Sequence, residues 1–216
     1  MKKQFIYVLS ILFSVTLFSC GGEKETTEES PADDKGAVKE EVCTYSYDNA
    51  TTIVQWTAYK FTEKAAVQGK FDTVIVSNTQ TSEDPMAVLT ASTFEIKTAS
   101  LQTQDLEKNG NIISAFFGKM ISTTSITGMV RSIDGGKAII SLKMNFVEMD
   151  VKGEITKVDD KIIFKADINL DTWNGQDAIK SLNEKCKKNH TGKDGKLYVA
   201  PDVTIYVETT LKKECK

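Results

Sequence analysis

The sequence predicts an all-β domain of eight antiparallel strands, and three observations carry that reading. Several long segments alternate apolar and polar residues with period two, turn signals separate them, and only two stretches show a helical period. In the clearest segment Ile162, Phe164, Ala166, Ile168 and Leu170 alternate with Lys161, Ile163, Lys165, Asp167 and Asn169. Val147, Met149, Val151, Gly153 and Ile155 alternate in the same way with charged or polar neighbours, and so do Val203, Ile205, Val207 and Leu211. Because successive strand side chains point to opposite faces, each segment has one apolar and one wetted face.

The eight strands are expected at 51–61, 66–77, 87–98, 120–132, 137–147, 148–158, 161–171 and 202–212. Asp134-Gly135-Gly136 and Asp159-Asp160 supply turns within two pairs of them. Helices are expected near Thr103 to Phe117 and over Gly175 to Lys188, where Ala178, Ile179, Leu182 and Cys186 share a face. Antiparallel strands with one wet side build either a closed barrel or a sandwich, and alternation does not separate the two.

The first 42 residues do not belong to this pattern. Lys2 and Lys3 precede an apolar run from Phe5 to Phe18, too short for a comfortable transmembrane helix but right for the core of a signal peptide. Leu17-Phe18-Ser19-Cys20-Gly21 matches a lipobox, in which the Cys20 thiol is the one side chain a diacylglyceryl donor can alkylate. The expected organisation is a lipoprotein signal peptide over 1–19, an acidic tether over 20–42 and one domain over 43–216. The tether has no aromatic residue and too little apolar area to offset its ordering entropy. Cleavage before Cys20 takes Lys+Arg from 27 to 25 against 30 Asp+Glu, moving the net charge from −3 to −5. That balance argues against nucleic acid, which needs concentrated basic residues. Two or more acyl chains would make membrane attachment effectively permanent. The expected location is the cell envelope, as a membrane-anchored lipoprotein of the outer membrane facing the periplasm or the surface.

A family resemblance bears on the choice between barrel and sandwich. Val54-Gln55-Trp56-Thr57-Ala58-Tyr59-Lys60 followed by Val67-Gln68-Gly69-Lys70-Phe71 resembles the opening hairpin of the YceI-like family. Phe94-Glu95-Ile96, Thr98-Ala99-Ser100-Leu101, Phe116-Phe117-Gly118 and Ile126-Thr127-Gly128 continue the match. Leu182-Asn183, Cys186, His190-Thr191-Gly192, Asp194-Gly195 and Pro201-Asp202-Val203 resemble the end of its lipoprotein branch. The resemblance implies an eight-stranded lipocalin-like barrel with one or two short helices and an apolar tunnel, in which some members hold a polyisoprenoid. The chain departs from the family at Lys60, where many relatives carry histidine, and at Phe146-Val147-Glu148-Met149, which replaces a glycine-containing turn.

The expected ligand-facing residues are Val54, Trp56, Ala58, Lys60, Phe71, Phe94, Ile140, Leu142, Met144, Phe164, Ile168 and Ile205. Their inward parity suits either an apolar guest or a core filled by its own side chains. Trp56 and Met144 are the preferred contacts, and Lys60, on the parity of Trp56, either meets a polar head or reaches water at the rim. Three cysteines remain after Cys20. If the first and last strands close the barrel, Cys43 falls beside Cys215, with Cys43–Cys186 the alternative bridge. His190, four residues after Cys186, gives two metal-ligand types, too few for a structural zinc site. Asp167 to Asp171 imitates a calcium loop, but Thr172 stands where glycine is required. No nucleophile elbow, phosphate loop or triad signature is present, so no enzyme and no cofactor is expected. The expected partners are an apolar lipid-like ligand and the membrane, with a homodimer left open. The alternative to a ligand carrier is an interaction module acting through its surface.

Overall fold

The computed structural model describes residues 41–216. The signal segment, Cys20 and all but the last two tether residues lie outside the described residues. The strands are β1 (Cys43–Ser46), β2 (Ile53–Lys60), β3 (Ala65–Phe71), β4 (Val74–Ser77), β5 (Thr93–Lys97) and β6 (Leu101–Gln102). They continue with β7 (Ser125–Asp134), β8 (Lys137–Met144), β9 (Val147–Val158), β10 (Lys161–Asn169), β11 (Val199–Thr210) and β12 (Lys212–Cys215). The helices are α1 (Leu106–Asn111), α2 (Gln176–Lys185) and α3 (Lys187–His190). None of the described helices is long and apolar enough to cross a membrane.

Ten strands form one curled antiparallel sheet in the order β4-β5-β7-β8-β9-β10-β11-β2-β3-β6. This corrects the expected count of eight. The expected strand 66–77 bends at Asp72-Thr73 into β3 and β4, while Thr98–Ser100 turns the chain between β5 and β6. The two halves of this bent hairpin pair at opposite ends of the sheet, β3 with β6 and β4 with β5, so its ends are joined by continuous chain. Neither bend contains glycine or proline, so no punctuation marks it in the sequence. Residues 87–89, expected in a strand, form a single tight helical turn instead.

Alternation sets the inside of the curl. On β10 Ile162, Phe164, Ala166 and Ile168 are buried while Lys161, Lys165 and Asp167 are exposed. The core also takes Val54, Phe71, Ile96, Leu142, Val151 and Ile155 from the surrounding strands. Burying one such side chain is worth about 1.5–3 kcal/mol. Met149 departs from its parity and stands 42 % exposed.

The curl has two distinct ends. At one, β1 and β12 form a separate two-stranded ribbon closed by a Cys43–Cys215 disulfide. The expected pairing is thus present, but beyond the barrel strands rather than between them. Tyr47 is bonded to the Thr52 hydroxyl there, Thr52 donates to Thr209 Oγ1 at 2.9 Å, and Thr51 donates to the Thr210 carbonyl at 2.8 Å. The opposite end carries the helices and the β8–β9 turn, whose Asn145 Nδ2 donates to the Trp173 and Asn174 carbonyls just before α2. Asp105 starts α1 by accepting from the Lys108 amide, as an N-cap carboxylate should.

Candidate functional site: an apolar cavity inside the curled sheet

Inside the curl lies a cavity of about 550 Å³. Its wall is overwhelmingly aliphatic and aromatic, and all twelve expected lining residues lie on it. Of the two alternatives the alternation left open, a lumen and a self-filled core, the structure has the lumen. A volume of this size falls within the range of small-molecule sites, roughly 300–1,000 Å³.

Paired glycines keep the space open. Trp56 on β2 stands directly opposite Gly69 on β3, and Phe94 on β5 stands opposite Gly128 on β7. A Cβ on either glycine would collide with the facing ring, and one on Gly153 would collide with the ring of Phe164. Each ring therefore lies across a stretch of bare backbone instead of standing into the lumen. The cost is visible at Trp56, whose indole Nε1 is buried without a hydrogen-bond partner among the described residues.

The helical end closes the cavity with aromatic and polar groups. After α1 the backbone loosens into a π turn, Ile112–Phe116, a feature found often at functional sites. It brings Phe116 and Phe117 onto the cavity wall, with their rings 5.0 Å apart edge to face. Buried Asn109 fixes the start of this segment, accepting from the Thr103 amide at 2.8 Å and donating to Gln102 Oε1 at 2.9 Å.

Beside them Lys60, Asn189, His190 and Cys186 reach the same wall. Lys60 Nζ donates to the Asn189 carbonyl at 3.3 Å and lies 4.8 Å from the Phe61 ring centre. It has no carboxylate partner among the described residues. Burial, helped by the Lys60 charge, holds the His190 imidazole below its usual pKa. Its Nδ1 lies 3.0 Å from Asn183 Oδ1. Burial also pushes the free Cys186 thiol up, away from the thiolate form. No group of three metal-ligating side chains comes together among the described residues.

Sequence reasoning missed the polar residues Asp105, Glu107, Lys108, Asn111 and Asn189, which the helical end contributes to the wall. No apolar periodicity could have singled them out, because they are polar residues of the short helices α1 and α3 and of the N-cap of α1. The Trp56–Gly69 pair was legible in principle by counting outward from the β2–β3 hairpin turn, whereas Phe94–Gly128 joins strands that no hairpin connects.

An antiparallel sheet curled around an apolar lumen, stapled at one end and covered by short helices at the other, defines a half-barrel with an internal cavity. Comparison with solved structures finds likenesses to this fold. A polyisoprenoid-binding domain from Saccharophagus degradans superposes with a TM-score of 0.53 at 11 % identity, over 81 % of this chain and 99 % of that one. BcnA of Burkholderia cenocepacia gives 0.49 at 15 % identity over 78 % and 99 %, and a Campylobacter jejuni YceI protein 0.49 at 16 % over 72 % and 89 %. No family model matches the chain, and no curated protein matches it in sequence. The chain has the YceI-like fold.

Proposed function

We propose that this chain is a non-catalytic carrier that holds one slender apolar molecule, of the polyisoprenoid or long-chain alkyl class, inside its barrel. The single observation that carries the reading is the open 550 Å³ lumen with its nearly continuous apolar wall. An empty polar cavity would fill with water, but an apolar one favours an apolar guest. The Saccharophagus degradans domain, whose name describes polyisoprenoid binding, supports the same class of guest.

Within this proposal Trp56 and Met144 touch the chain of the guest. Lys60, charged and without a carboxylate partner among the described residues, meets its polar head at the helical end. The lipobox ending at Cys20 supports attachment to an envelope membrane through an acylated cysteine. Titrating the protein with prenyl alcohols of increasing length, against a displaceable apolar fluorophore, tests the reading. Saturable displacement near one equivalent is expected, with affinity rising with chain length and then reaching a plateau. A fluorophore that never binds, or is never displaced, would sink it in favour of a module acting through its surface.

A further inference from the structure

A separate feature stands on the outer surface of the helical end. The β8–β9 turn places Asn145 and Phe146 at φ of 49° and 61° in succession. A two-residue turn with two positive φ angles normally takes Asn-Gly, because a side chain in the second position meets its own backbone. Here that position carries a phenylalanine, and its ring is not tucked away but 71 % exposed. A strained position filled by an exposed aromatic calls for an explanation outside packing.

The neighbouring loop presents a second such residue. Ile121, 65 % exposed, donates its amide to Asn145 Oδ1 at 2.7 Å, and Thr123 Oγ1 accepts from the Asn145 amide at 2.8 Å. Asn145 therefore ties together the two chain segments that carry these exposed apolar side chains. Two lysines flank them. Lys143 Nζ lies 5.4 Å from the Phe146 ring centre, and Lys119 precedes Ile121 by two residues. Neither lysine has an ion-pair partner among the described residues. Glu148, across the ladder from Lys143, is engaged by Arg131 at 2.9 Å and by Ser141.

We infer that this corner is a membrane-contact prong, with Phe146 and Ile121 entering the interfacial layer of a bilayer and Lys119 and Lys143 meeting its anionic headgroups. The pairing of apolar tips with free lysines complements such a surface, where aromatic rings and basic side chains collect. Two projecting side chains are far too small for a stable protein partner, which needs about 800 Å² on each side. The expected anchor at Cys20 permits the contact. It lies 23 residues before Cys43, a reach of at most about 80 Å, against about 40 Å for a twelve-residue strand. The inference stands whether or not the cavity holds a lipid.

Replacing Phe146 by tryptophan supplies a local reporter, because Trp173 is 2 % exposed and the Trp56 Nε1 is buried. The full chain carrying Phe146→Trp is mixed with vesicles of phosphatidylcholine containing about one-quarter phosphatidylglycerol, with brominated acyl chains. The introduced indole should shift its emission to the blue and lose at least about half its intensity, well beyond the loss in the unsubstituted protein. Adding Lys119→Glu and Lys143→Glu should reduce that quenching about threefold or more. Ile121→Trp serves as a second reporter if the first disturbs the turn. Indoles at both positions that stay red-emitting and unquenched would overturn the inference, and equal quenching on pure phosphatidylcholine would overturn the role of the lysines.

Discussion

Trp56 lies across the bare backbone of Gly69, its direct partner on the neighbouring strand, in the space where a β-carbon would stand. The largest side chain of β2 is thereby laid along the wall, and the lumen beside it stays open. Gly69→Ala should force the ring inward and press the new methyl on the fixed Gln102 carbonyl 2.9 Å away, costing about 1–3 kcal/mol. Chemical denaturation and fluorophore binding should fall together.

The same indole gives a second expectation. Its Nε1 is buried without a partner among the described residues, a burden of about 1–3 kcal/mol. Trp56→Phe removes that donor along with some apolar area, so the net change in stability should be under about 1 kcal/mol, against several for an ordinary core truncation. A loss above that range in urea unfolding would show that the indole nitrogen is satisfied in solution.

Filling the lumen should separate binding from folding. Ala58 is small, half-buried and on the cavity wall. Ala58→Phe should occupy the space a guest needs and weaken guest binding about tenfold or more, while folding changes by less than about 1.5 kcal/mol. Isothermal titration beside thermal melting would read both effects. Unchanged affinity would place the guest elsewhere.

The ribbon should act as a staple independent of the lumen. Cys43 and Cys215 are 172 residues apart, so their bond restricts nearly the whole domain when it unfolds. Cys43→Ser with Cys215→Ser should lower stability by about 2–5 kcal/mol in urea and leave guest affinity within about twofold. Loss of binding at full folding would mean that the ribbon shapes the cavity.

Acid should loosen the helical end first. His190 has its folded pKa held below the usual histidine value by burial and by Lys60. The unfolded chain therefore takes up the proton more readily, and the contribution of the neutral ring, present above the ordinary histidine value near 6.5, is lost as the pH falls through the folded value. Amide exchange in 187–190 should quicken over that interval, and His190→Gln should flatten the dependence. An equally steep profile in the variant would assign the effect to the carboxylates.

Part of this architecture was written plainly in the chain. The parity of Val54, Trp56 and Ala58, and of Ile162, Phe164 and Ile168, placed these side chains on the cavity wall because a strand alternates whatever surrounds it. The Asp134-Gly135-Gly136 turn likewise announced itself, with both glycines at positive φ. The bends at Asp72-Thr73 and Thr98–Ser100 did not, since they arise from curling the sheet rather than from local turn residues. The ribbon strands CTYS and KKEC are too short and polar to show a clear alternation, and their ladder is closed by a bond between distant cysteines. The emptiness of the lumen was illegible too, because a wall residue and a core residue obey the same alternation.

The most direct test is to purify the protein from its own envelope, extract it with organic solvent and weigh what is released by mass spectrometry. Our account predicts close to one prenyl or long-chain alkyl molecule for each protein. An extract free of such molecules, from protein that also takes none up when offered, would contradict it.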